Sequence, residues 1–175
     1  MFNYCKSKLN QMKKLFLILT LFYFSTSNAQ INNLKDLLHV SELPMDLLIQ
    51  ELQYNGWSVE QPSETYSKDN STVTGKYPFI YSSNNKKQTL QRVIVMHTSS
   101  GYKRARTIFI CNDKTLLNSI IKNLSYQGFE LKQSKPHYTV YHDGIRTFGI
   151  TDDAYTDDPA PTGCYKLTVF SNAVN

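Results

Sequence analysis

Leu48–Gln61, LIQELQYNGWSVEQ, lines up without a gap on Ile120–Gln133, IIKNLSYQGFELKQ, at an offset of 72. Leu, Tyr, Gly and Gln coincide, the other apolar positions stay apolar, and Trp57 matches Phe129. An apolar phase kept across a whole helix–turn–strand element argues for an internal repeat. The same offset carries Val93 and Val95 onto Tyr165 and Leu167.

Each copy encodes the same local sequence of events. Leu47, Leu48 and Leu52, with Glu51 outward, form a stripe of helical period, as do Leu117, Ile120, Ile121 and Leu124. Ser41 and Asp113 are expected N-caps. Gly56 and Gly128 stand just past the helices, where a residue with positive φ is wanted. After each glycine the period falls to two, with Trp57 and Val59 in one copy and Phe129 and Leu131 in the other.

Further strands are expected at 71–81, 90–98, 104–111, 137–150 and 164–170. Segment 99–103 is a turn that makes 90–98 and 104–111 the best-marked hairpin. A short helix is expected over Asn32 to Val40 from the spacing of Leu34, Leu37 and Leu38. Each unit of roughly 70 residues is marginal as an independent core. The expected fold class is therefore α+β: a duplicated helix-plus-antiparallel-strands unit forming one sheet with the helices on one face. The repeats run over about 32–103 and 104–175 within a single mature domain, 30–175.

Residues 1–29 read as a signal peptide. Met12-Lys13-Lys14 is a basic opening, and Met12 is the better start. Leu15–Phe24 is an apolar run of ten, and Ser27-Asn28-Ala29 supplies small residues before cleavage at Gln30. Ten residues reach about 15 Å as a helix, roughly half of a bilayer core, too short for a membrane span. The expected location is periplasmic or secreted.

Removing the leader changes the charge. Lys6, Lys8, Lys13 and Lys14 go with it and no acid does, which leaves 15 basic against 14 acidic residues. The pI near 9.0 is therefore mostly the leader's, and nucleic acid is not an expected partner. The mature chain keeps Cys111 and Cys164. In an oxidising compartment they could pair, worth on the order of 4 kcal/mol by loop entropy, or remain as two buried thiols. Both readings stay open.

The opening, LKDLLHVS over 34–41 and LLIQELQYNGW over 47–57, followed by an aromatic, strand-rich region, resembles small exported bacterial proteins of unassigned function. The tandem layout is similar in architecture to β-lactamase inhibitor proteins. Neither resemblance brings a motif for an activity.

Catalytic signatures such as G-x-S-x-G, H-E-x-x-H, a phosphate-binding glycine loop and C-x-x-C do not occur. No cofactor is implied. His137 and His142 are five apart on an expected strand and so point to opposite faces, which disfavours a shared metal. Asp152, Asp153, Asp157 and Asp158 lie in a proline-stiffened loop, 152–163. They could gather a hard cation, and the commoner reading is a solvated loop. Its counterpart at 82–89 carries Lys86 and Lys87. Loops of opposite sign would orient a partner or meet head to tail between molecules.

Tyr77, Phe79 and Tyr81 share one parity, and Tyr138 and Tyr141 lie on a later strand. Tyrosines on an open sheet face suit recognition of a protein or glycan, while core packing is their ordinary use. These residues and the two loops form the expected binding surface of a non-catalytic binding or inhibitor-like module. One alternative is a structural or envelope-associated protein that self-assembles. Another is an enzyme with an unrecognised site, for which Asp143, His142 and the acidic loop are the first suspects.

Overall fold

The computed structural model describes residues 30–83 and 86–171. The expected signal peptide, 1–29, lies outside the described residues. Among the described residues two helices come first, α1 (Leu34–Glu42) and α2 (Met45–Tyr54). Five strands follow: β1 (Ser58–Val59), β2 (Ser63–Tyr66), β3 (Thr72–Ser83), β4 (Lys86–His97) and β5 (Lys103–Cys111). After α3 (Lys114–Leu124) and one 3-10 turn come β6 (Glu130–Lys135), β7 (Tyr138–His142), β8 (Thr147–Asp152) and β9 (Tyr165–Ser171).

The nine strands form one sheet in the order β1-β3-β4-β5-β9-β8-β7-β6, with β2 also on the outer edge of β3. Every pairing is antiparallel. This is an α+β fold. The centre of the sheet is the β5–β9 pair, flanked on each side by strands that follow one of the helices α2 and α3.

The helix ends show how local chemistry sets the frame. Asn33 accepts from Asp36 N and caps α1, and Asp113 accepts from Leu116 N and caps α3. Gly56 and Gly128 take φ of +80° and +83°. Gly56 N donates to Gln53 O and Trp57 N to Leu52 O, while Gly128 N donates to Ser125 O and Phe129 N to Leu124 O. The same two bonds thus close both helices, and each glycine then turns an aromatic residue into the core.

One core fills the space between helices and sheet. Leu34, Leu37, Leu48, Leu52, Leu117, Ile120 and Leu124 meet Phe79, Leu90, Phe109, Phe148, Leu167 and Val169. Cross-strand register shows that these strand residues share one face. The helices therefore cover a single side of the sheet.

Several local expectations are corrected. Ser41 lies inside α1, its hydroxyl donating to Leu38 O, and the position before α2 is held by Pro44. The first strand after Gly56 is only two residues long. The single strand expected over 137–150 is two, β7 and β8. Asp143 accepts from Ile145 N and Arg146 N, and Gly144 takes φ of +96°, so Asp-Gly makes a tight turn there. His137 sits in a turn with φ of +64°, not on a strand.

Candidate functional site

Strand length creates the main concavity. A strand of twelve residues, such as β3 or β4, reaches about 40 Å, whereas a helix of nine or ten residues covers about 15 Å. The strands overrun the helices. At the end where β3 begins and β4 ends, the helix-facing side of the sheet is left partly uncovered. A cavity of about 350 Å³ lies there, under the α1–α2 corner. Leu43, Pro44 and Met45 form its roof. Val73, Gly75 and Tyr77 of β3 line one wall, and Arg92, Ile94 and Met96 of β4 the other. Glu42, Glu64 and Lys103 stand at its polar margin.

Gly75 has a steric role here. A Cβ at this position would come within 3.0 Å of Tyr77 Cε2, so the tyrosine ring lies over the bare backbone. Tyr77 thereby forms part of the cavity floor.

Arg92 is the unusual residue. It is only 4% exposed. Its Nη2 donates to Val40 O at 2.6 Å, in the last turn of α1, where carbonyls lack intrahelical partners. Among the described residues its Nε is buried with no hydrogen-bond partner, and no carboxylate is paired with the guanidinium. Burial pushes its pKa down to about 10. Thr107, its direct neighbour on β5, also has a buried hydroxyl without a partner. Buried polar groups are normally satisfied; the third such atom among the described residues is the Thr151 hydroxyl on β8.

Glu42 is engaged elsewhere. It accepts from Arg146 Nη1 at 2.5 Å, and Arg146 also donates to Asp143 and lies 5.2 Å over the ring of Phe129. The carboxylate nearest the α1 end is therefore committed to the far half of the sheet.

The expected binding residues are dispersed. Phe79 is fully buried on the helix side, and Tyr77 and Tyr81 flank it on the same face. They are not on the open face. Tyr81 packs 5.6 Å from Trp57, and Tyr141 also packs against the core. Tyr138 does lie on the other face, where Tyr155 stacks on it at 5.0 Å. By register that face also carries Val93, Ile108 and Phe170, with Lys76, Arg104 and Arg106 among them.

The acidic loop folds back on its own strands. Asp152 pairs with His137 at 3.0 Å, Asp153 accepts from Gly163 N, and Asp157 accepts from the Tyr155 hydroxyl. Asp158 pairs with Lys166, whose ammonium is buried and also reaches two loop carbonyls. The His137 hydrogen bond, ahead of an opposing burial effect, holds the Asp152 carboxyl below the usual range. Among the described residues no three His, Cys, Asp or Glu side chains gather as a metal site would require. Lys87 is exposed near the start of β4, at the same end of the sheet as the acidic loop. Lys86 opens β4 opposite Ser83.

Cys111 and Cys164 are free thiols. Cys111 faces the core opposite Tyr165, and Cys164 precedes that residue. Burial pushes the Cys111 thiol up to about 11. His142 accepts from Gly144 N and Asp143 is bound to Arg146, so both are occupied in forming the β7–β8 turn.

Sequence reasoning missed Arg92. Its only signal was a lone basic residue within an apolar strand, flanked by Leu90, Val93, Ile94 and Val95. Comparison with known proteins finds no matching family model, no similar curated protein and no similar solved structure. No described helix is long and apolar enough to cross a membrane.

Proposed function

We propose that this chain is an exported, non-catalytic binding module, and that the cavity beneath the α1–α2 corner is where it binds. The observation that carries the reading is a buried guanidinium, with no carboxylate partner among the described residues, in the lining of a largely apolar cavity of about 350 Å³. Concave apolar sites of a few hundred Å³ with a small number of oriented polar groups are the usual form of small-molecule sites. Export rests on the basic, apolar and small-residue segments of 1–29.

The same reading takes the chain as a duplicated helix-plus-strands unit. Matched glycine closures at Gly56 and Gly128 support it, as does a strand order that runs outward from β5 and β9 in opposite directions. On this reading the seam falls near residues 112–113 rather than at the expected 103–104, and β5 is set against β9, so the match of Val93 and Val95 with Tyr165 and Leu167 is not kept. The two units differ in strand length: one has the long β3–β4 overhang, and the other has the short strands β7 and β8.

Filling the cavity tests the reading. Ile94→Trp places a large ring beside Arg92. The wild-type protein purified from its own cells should release a small molecule on denaturation that the Ile94→Trp protein does not carry. Equal extracts from two folded proteins would contradict the cavity as the binding site.

A further inference from the structure

Within that reading, the geometry points to the chemical class of the ligand: we infer that the cavity takes an apolar monocarboxylate, held with its carboxylate against Arg92. Two observations converge. The guanidinium is almost wholly buried, yet no carboxylate of the described residues pairs with it. A buried cation is normally neutralised by a partner, because its desolvation is otherwise uncompensated. The same residue lines the cavity, with one edge of its guanidinium bound to Val40 O. A carboxylate accepts charge-assisted hydrogen bonds from a guanidinium, so a ligand carboxylate would supply the counter-charge that the described residues do not.

The rest of the cavity sets the body of the ligand. Met45 and Met96 are flexible and polarisable, and with Ile94 and Leu43 they suit an aliphatic chain better than a polar one. A second fixed anion-binding group is missing from the interior lining; Lys103 is exposed at the margin. One carboxylate therefore fits better than two.

The probes are decanoate, decanol and acetate, titrated calorimetrically into the purified full chain. Decanoate should bind at least tenfold more tightly than decanol, and acetate should bind far more weakly than either. Arg92→Met should abolish the preference for decanoate over decanol, while Arg92→Lys should keep part of it. Equal binding of decanoate and decanol would leave the cavity reading standing and overturn the anion. Binding of neither would sink the cavity reading and this inference together. Equal binding of acetate and decanoate would mean an adventitious anion only.

A readout on the wild-type protein removes dependence on how the variants fold. Carboxyl-labelled decanoate, followed by carbon NMR, should titrate at a lower pH when bound than when free. A bound carboxyl that titrates at or above the free value would overturn the proposal.

Discussion

Arg92→Met separates a residue kept for structure from one kept for a ligand. The substitution removes the charge and leaves an unbranched apolar side chain of similar reach. Burial lowers the Arg92 pKa from 12.5 to about 10, which corresponds to roughly 3 kcal/mol of lost solvation. Against that stands the charged hydrogen bond to Val40 O, which contributes about 1.5–3 kcal/mol. The two nearly cancel. Methionine removes the cost and the bond together, so stability of the ligand-free protein should change by less than about 1.5 kcal/mol in either direction. Urea unfolding followed by tryptophan fluorescence measures this, since Trp57 is buried in the core. An unchanged dependence on urea would show that the unfolding transition is the same one. A loss of about 3 kcal/mol or more would refute the reasoning. Arg92 would then be a structural cap on α1, with no need of a ligand to explain it.

Other parts of the molecule make separate predictions. A thiol reagent at pH 8 should label Cys164 well before Cys111, whose burial pushes its pKa to about 11; peptide mapping that finds Cys111 labelled first would contradict the packing. For Asp143, burial alone would raise the pKa, but hydrogen bonds from Arg146 N, Ile145 N and the Arg146 side chain outweigh it and hold the carboxyl below the usual range. Its contribution is therefore complete above about pH 4 and lost as the pH falls through the lower folded value. Asp143→Asn should cost about 1–3 kcal/mol at neutral pH, and the difference from wild type should shrink in acid; a difference that grew in acid would reverse the sign. Lys166→Met should free the 153–163 loop, read as faster limited proteolysis there; an unchanged cleavage rate would show that the loop does not depend on the buried ammonium. Gly128→Ala should cost about 1 kcal/mol or more, because φ of +83° is strained for a side chain; no loss would contradict the closure described for α3.

The helices and their glycine closures were legible because their determinants are local. A stripe of period 3.6 and a glycine at the end need no distant partner. The α+β class followed, since short helices followed by strands bury their apolar faces by packing on a shared sheet. The strand break at Asp143-Gly144 was also written in the chain, but a long run of β-forming residues on both sides concealed it. β2, SETY, carries no apolar alternation and is exposed throughout, so it left no signal.

The face of a strand is a different kind of information. That Tyr77, Phe79 and Tyr81 lie together follows from period two. That they lie under the helices depends on the register of β3 with β4 and β5. Arg92 was illegible for the same reason. Its burial is created by Val40, 52 residues earlier, and by Thr107 on the next strand. A lone arginine in an apolar strand could equally have faced water. The acidic loop shows the converse: its charges were conspicuous in sequence, yet each is answered locally, which favours loop structure over recruitment.

Native mass spectrometry of the protein taken from its own cell envelope or culture medium tests the account most directly. It should show a polypeptide beginning at Gln30 that carries a small acidic molecule, released when the chain is unfolded. A bare chain that still includes the residues before Ala29 would contradict both the export and the binding role.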